Sequence, residues 1–311
     1  MNSIYAIRPS ADALQLEAVW KQDDSGGLGA DFTSLVTVNV GEQLGLYAYN
    51  QDTQQTTFYQ LSGAAPWLVK TDKQVDLSGP WDTLSTFVLG NDSYLMGYCR
   101  ADGRFNFFKV APDFAVSEPY VFQQFRNTPT KDFTAVASFS SLNQQYFLGY
   151  DVDTGHVAAF SLMVTTSTSD GSLPLLAQNV WDHHWAKGWT HFAFFQLGKS
   201  NFFFKINRDK LNVNIDHIQD NPALGTVEIG SYLQKLLPDA MEIDVSTTIP
   251  WANGEPYLLT YIASSGTTAL YRIHADCLGW TSMASAVTVE GASQVIPYRI
   301  GDTSYCLYYL K

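Results

Sequence analysis

One pattern returns six times along these 311 residues, and it restricts the fold more than any other feature. Each copy opens on an aromatic or apolar residue followed by a small polar one. An apolar stretch then ends in a large side chain, and a second apolar stretch follows a short turn. The copies begin at Phe32-Thr33, Trp81-Asp82, Phe133-Thr134, Trp189-Thr190, Val245-Ser246 and Ala292-Ser293. Their end residues are Val38, Phe87, Phe139, Phe195, Trp251 and Tyr298, spaced 47 to 56 positions apart. Glycine follows three residues later in every copy but the third, which has Leu142. The second stretches are Leu44–Tyr49, Tyr94–Tyr98, Tyr146–Tyr150, Phe202–Ile206, Tyr257–Tyr261 and Tyr305–Tyr309. A repeat near fifty residues with four strand-like stretches is one blade of a β-propeller.

The chain also wraps onto its own period. Counting from Tyr298 to Lys311 and on from Met1 to Val38 gives 51 positions, one more repeat. The sixth copy stops after two strands, and Ser3–Ile7 with Leu14–Trp20 supply the missing pair. The expected fold is therefore all-β, a six-bladed propeller over 1–311 as a single domain, with blade six built from 291–311 plus 1–20. Pairing the two ends in one sheet removes the exposed edges that invite aggregation. Two stacked β-sandwiches are the competing architecture, and they do not explain the period. One segment departs from the pattern: Val227, Leu233, Leu236 and Leu237 lie partly at helical spacing before Pro238, so a short surface helix is expected there.

Composition supports a packed chain and narrows its partners. Hydrophobic residues are 46% and charged residues 15%, which excludes a disordered polymer. Aromatic residues reach 14%, in keeping with strands. With 18 Lys+Arg against 30 Asp+Glu, the net charge is −12 and no basic block exists, so a nucleic-acid or anionic-membrane partner is not expected. No apolar run approaches the ~18 residues of a membrane span. No basic segment followed by an apolar one opens the chain, which leads to the expectation of a cytoplasmic protein, or one released without a signal peptide. Cys99, Cys277 and Cys306 are odd in number and widely spaced, which suits buried free thiols.

Unusual chemistry concentrates before the fourth copy. Trp181-Asp182-His183-His184-Trp185-Ala186-Lys187-Gly188-Trp189-Thr190-His191 holds three of the 6 His and three of the 8 Trp. The third blade's turn adds Asp151, Asp153 and His156, and the fourth blade's turn adds Asn207, Arg208 and Asp209. The expected blade order brings these segments to one face near the junction of blades three and four. Indole faces beside His, Asp and Arg suit a glycan or planar small molecule. Trp181, Trp185, Asp153, His156 and Arg208 are the candidate ligand-binding residues. Trp185 has no counterpart in other copies, whereas Trp189 fills the repeat's aromatic slot. Asp82 is a further candidate, because it places a carboxylate where the other copies have Thr or Ser. For acid–base catalysis the candidates are His183, His184 and His191, assisted by Asp182. Adjacent histidines point apart on a strand, so no metal site is expected, and no cofactor is specified. Nucleophile-elbow, phosphate-loop and dinucleotide motifs are absent.

In blade count, repeat length, aromatic content and lack of accessory domains, the chain resembles the stand-alone propeller lectins of bacteria and fungi, including the six-bladed fucose-binding kind. That resemblance implies lectin-like recognition of a glycan. Those lectins repeat an Arg, a Glu and an aromatic residue in nearly every blade. Here Arg100, Arg126, Arg208, Arg272 and Arg299 do not occupy equivalent positions. Three functions follow as expectations: a glycan- or small-molecule-binding propeller, a single-site enzyme of lyase, cyclase or isomerase type, and a protein-interaction scaffold.

Overall fold

Second stretches that are apolar at consecutive positions have a use only in strands covered on both faces. The computed structural model describes residues 1–10, 13–22, 27–117, 130–141, 144–164, 175–221, 226–236, 242–249, 251 and 254–311, and in it these stretches are the buried second strands of six sheets. Blade one comprises β3 (Ser34–Val40), β4 (Gln43–Asn50), β5 (Gln55–Leu61) and β6 (Leu68–Val75). Blade two comprises, among the described residues, β7 (Thr83–Leu89), β8 (Asp92–Cys99) and β9 (Arg104–Val110). Blade three holds β10 (Ala135–Ser141), β11 (Gln144–Tyr150), β12 (His156–Val164) and β13 (Leu175–His184). Blade four holds β14 (Trp189–Leu197), β15 (Ser200–Asn207), β16 (Asn212–Asn221) and β17 (Thr226–Leu236). Blade five holds β18 (Val245–Ile249), β19 (Tyr257–Ile262), β20 (Thr267–Ile273) and β21 (Trp280–Val287).

Blade six is assembled from both ends of the chain. Its inner strands are β22 (Gln294–Ile300) and β23 (Thr303–Tyr309), and β1 (Ser3–Ser10) pairs antiparallel with β23 and carries β2 (Ala13–Lys21) outside it. Asn2 fastens the seam: its Oδ1 accepts from Leu310 N at 2.7 Å and its carbonyl from Gln22 N at 2.8 Å. The inner strands β3, β7, β10, β14, β18 and β22 each lie beside the next, and β22 lies beside β3. The ring is a closed six-bladed β-propeller. All three cysteines are free and buried. No helix among the described residues is long and apolar enough to cross a membrane.

The large end residues have a packing role. In four blades the end residue stands opposite the first aromatic of the second strand, giving stacked pairs Phe87–Tyr94 (5.1 Å), Phe139–Tyr146 (5.2 Å), Phe195–Phe202 (5.6 Å) and Tyr298–Tyr305 (5.2 Å). Cross-strand aromatic pairs of this kind stabilise a hairpin and fix its register. At the other end of the second strand a small residue recurs. A Cβ on Gly97 would lie 2.5 Å from the Trp81 ring, so the indole that opens blade two seats directly on backbone.

Blades are joined by one repeated device. Tyr98 accepts the Phe133 N–H at 2.9 Å and donates to the Thr130 carbonyl at 2.8 Å, tying blade two to the segment that enters blade three. Tyr150 makes the same pair of bonds to Trp189 N and Ala186 O, and Tyr261 to Ala292 N and Val289 O. Tyr309 bonds Phe32 N and Gly29 O, closing blade six on blade one, and Tyr49 bonds Trp81 N and Gly79 O. Burial raises the pKa of each of these phenols, so they act as neutral donor–acceptors. Blade four is the exception, with Ile206 in the slot.

Two sequence expectations are corrected. The expected helix in blade four is strand β17, because a bulge opposite Ile215 and Asp216 inserts Tyr232. The extra residue breaks the two-residue alternation: Val227 and Ile229 pack toward blade three and Leu233, beyond the bulge, toward blade five, so apolar positions on two faces imitate helical spacing. In blade five the copy is shifted: Asp244, not Ser246, bonds Tyr261 O through its backbone, and Ile249, not Trp251, stands opposite Tyr257. The small polar row serves its own blade, Thr33 Oγ1 donating to Tyr49 O and accepting from Gln51 N. Leu142, Leu237, Pro238 and Arg126 lie outside the described residues.

Two outcomes test this account. Tyr98→Phe removes one hydroxyl and strands a buried N–H and a carbonyl, which is expected to lower unfolding free energy by about 1–3 kcal/mol, whereas Phe at the exposed Tyr232 changes it by under ~0.5 kcal/mol. Urea titration of both variants decides this. Deleting 1–20 exposes β23 and is expected to give an oligomer or an unfolded chain by light scattering; a monomer with unchanged melting temperature refutes closure by β1.

Candidate functional site

Strand alternation divides the His/Trp-rich segment between two faces of blade three. On β13, Asp182 and His184 point one way while Trp181 and His183 point the other. His184 stands across from His156 on β12, with ring centroids 5.5 Å apart. His156 stacks on Phe133 at 5.6 Å, and its Nε2 lies 3.4 Å from an Asp182 carboxylate oxygen. Asp182, His183 and His184 are exposed, and His156 is half-buried. Asp153 approaches Arg100 at 3.9 Å, both exposed, a pairing worth little in water. Among the described residues no group of three His, Cys, Asp or Glu is placed to hold a metal ion.

On the face toward blade four the indoles are packed. Trp181 lies 5.5 Å from His183 and 5.9 Å from Trp185. Trp185 stacks with Phe192 at 6.2 Å and Phe203 at 5.7 Å. The loop bearing it is held by Gly155, whose φ of 80° suits glycine and whose missing Cβ makes room for the Trp185 carbonyl. Trp185 is half-buried, so it serves packing as well as any ligand, and Trp189 is buried as its repeat slot requires.

Beneath Trp185 sits a residue that the sequence reading passed over. Lys205 occupies the second-strand position held by Ala48, Gly97, Gly149, Thr260 and Tyr308 in the other blades. Its ammonium lies 3.6 Å from the centre of the Trp185 ring and 4.6 Å from that of Trp189. It donates to an Asp216 oxygen at 2.6 Å, and the two side chains are 4% and 2% exposed. Burial pulls the lysine below its usual pKa and pushes the aspartate up, with their attraction opposing each shift. The other Asp216 oxygen and Asn214 Oδ1 are buried without a partner. The signal was present: Lys205 is the one charged residue inside the six apolar second stretches.

The remaining candidates lie apart from this cluster. Arg208 bonds the Ile243 carbonyl and approaches Asp244 at 3.1 Å, bridging blade four to blade five where the tyrosine is missing. His191 helps there, its Nε2–H donating to Asp244 O at 2.9 Å while Nδ1 accepts from Thr190. Asp82 accepts from Arg100 N at 2.6 Å and from Gln51 Nε2 at 2.9 Å, so its carboxylate caps backbone between blades one and two. Desolvation holds the His191 pKa below 6.5, so on acidification the unfolded chain takes up that proton first. Stability is accordingly expected to fall as pH drops through about 6.5. His191→Gln is expected to flatten that slope in urea titrations run from pH 7 to 5.

No protein-family model matches the chain, and no curated protein matches it. Solved structures do. A putative 6-phosphogluconolactonase from Bacteroides fragilis aligns with TM-score 0.56 and 14% identity over 96% of this chain and 85% of that one. One from Bacteroides uniformis gives 0.54 and 12% over 94% and 85%, and a putative exo-β-1,3-galactanase from Bifidobacterium bifidum gives 0.54 and 10% over 87% and 96%. At such identities the likeness is one of fold: the chain is similar to these propellers in architecture.

Proposed function

We propose that the protein is a ligand-binding propeller with one site, on the face where the entry segments of blades three and four meet, taking a glycan or a comparable small polar molecule. The observation that carries this is the local failure of the repeat. Blade four replaces the small residue by Lys205 and the joining tyrosine by Ile206, and the segment entering it adds Trp185. Desolvating two charges costs several kcal/mol per ion before pairing returns any of it. The other blades show that the fold does not require such a pair, so its use at one junction marks a specialised one. Beside it, Trp181 and the exposed His183 offer an indole and a hydrogen-bonding group, while the exposed Asp182, His184 and Asp153, with His156, lie on the other face of blade three, toward blade two. Arg208 and Asp82 stand outside this group and support neighbouring junctions. One differentiated junction favours a single site over the several equivalent sites of a multivalent lectin.

A second reading has its own observation. The His156–Asp182 approach at 3.4 Å, beside His184, is an imidazole–carboxylate pair able to hold and transfer a proton. In that reading the bound molecule is turned over, by isomerisation, elimination or cyclisation.

A glycan array followed by titration of each hit, monitored by tryptophan fluorescence, tests the proposal. Trp181→Ala and His183→Ala are each expected to weaken binding by about 1–3 kcal/mol. Array silence, or hits whose affinity both variants leave unchanged, refutes it. Chemical change in a titrated hit, abolished by His156→Gln, selects the enzymatic reading.

A further inference from the structure

A second concavity lies at the opposite end of the disc. Tyr150 pairs with Ala135 near the His/Trp cluster, whereas Gln144 pairs with Ser141 six residues along, at the other end of the first two strands. There residues at the ends of the first two strands of blades two, three and four line a cavity of about 650 Å³, rimmed by Asn91, Ser140, Gln144, Gln196 and Lys199. Ser140 and Gln196 are shared with an adjoining recess of about 200 Å³, walled by Phe139, Phe194 and Phe202. Phe139 and Phe194 stack across the two blades at 4.9 Å with an interplanar angle of 6°.

The wall of this cavity is built, not merely open. Ser141, 2% exposed, donates to the Asp220 carboxylate and accepts from Asn201 Nδ2 at 2.6 Å. The other Asp220 oxygen is buried without a partner. Gln145, 3% exposed, donates to the carbonyls of Phe139 and Tyr146 at 2.8 and 3.0 Å and accepts from Ser140 at 2.6 Å. These bonds fix the floor, while the side chains of Gln196 and Lys199 have no hydrogen-bond or ion-pair partner among the described residues.

We propose that this hairpin-face cavity is a binding site for a neutral sugar ring, separate from the entry-face site. Its rim is rich in primary amides, which offer donors and acceptors together and match the paired roles of hydroxyl groups. Lys199 is the one charged side chain on the rim, too little for a phosphate-rich ligand. The rings of the adjoining recess are stacked on one another and supply a rigid apolar wall, and the volume falls in the range of small-molecule sites.

The test uses the methyl glycosides of glucose, galactose, mannose and fucose, titrated calorimetrically against the full chain, with inorganic phosphate and adenosine as competing chemistries. At least one glycoside is expected to bind saturably. Gln196→Ala, at an exposed position, is expected to weaken it about tenfold, the loss of one to two hydrogen bonds. Ser140→Trp, which fills the mouth, is expected to abolish it. The proposal is overturned if no glycoside saturates, if Gln196→Ala leaves affinity unchanged, or if only phosphate or adenosine binds. Loss of glycoside binding in His183→Ala with none in Gln196→Ala also overturns it, since that assigns the sugar to the entry face.

Discussion

The ring depends on a phenolic hydroxyl placed at the end of the second strand of five blades. A propeller blade packs its neighbours through apolar faces, and apolar contact alone does not fix how far one sheet slides along the next. Tyr49, Tyr98, Tyr150, Tyr261 and Tyr309 supply that register. Each accepts from the residue that opens the next inner strand and donates to a carbonyl two or three residues before it. The two bonds satisfy backbone groups that the entering segment offers to no sheet, in surroundings where an unmet donor is costly. The aromatic residue opening the next blade is thereby positioned, and in blades two and three it rests on a glycine that leaves room for its ring.

Blade four shows what happens where that device is dropped. Ile206 offers no hydroxyl, and the junction to blade five is carried by Arg208 and His191 reaching the Ile243–Asp244 backbone. One position earlier, Lys205 turns an apolar interface into a charged one, held by Asp216 and two indoles. Lys205 reaches one Asp216 oxygen at 2.6 Å, and the other is buried without a hydrogen-bond partner. Such partial satisfaction is uncommon in buried polar groups and concentrates where a protein does more than fold.

Much of the architecture is legible from the repeat because a closed ring imposes the same demands on each blade. The end aromatics, the second-strand tyrosines and the two-plus-two closure follow from spacing alone. The shifted fifth copy does not, because Asp244 and Ser246 both follow apolar residues and only strand pairing chooses between them. Strand β17 is disguised by its bulge, which sends Val227 and Leu233 to opposite packed faces and so hides the period of two. For the entry-face cluster, the sequence brings the right residues together but not their orientation: alternation sends His183 and His184 to different faces, and Trp185 inward. The hairpin-face cavity has no local signature at all. Its walls come from turns in blades two, three and four, separated by about fifty residues each, and only the assembled ring makes them neighbours.

The seam in blade six sets an order on how the chain is made. β1 and β2 are made before the other strands of the ring, and β23, the strand that β1 pairs with, after them. Until β23 is made, the hairpin of β1 and β2 has no sheet to join, and Phe32 waits for Tyr309. Closure is therefore the most non-local event in the fold, and contacts of such long sequence separation form slowly. Until it occurs, the nascent molecule presents open strand edges at both ends of a growing arc, the condition in which partly folded chains associate. A cell producing this protein must shield those edges, or complete the chain quickly enough that the ring shuts before two arcs meet.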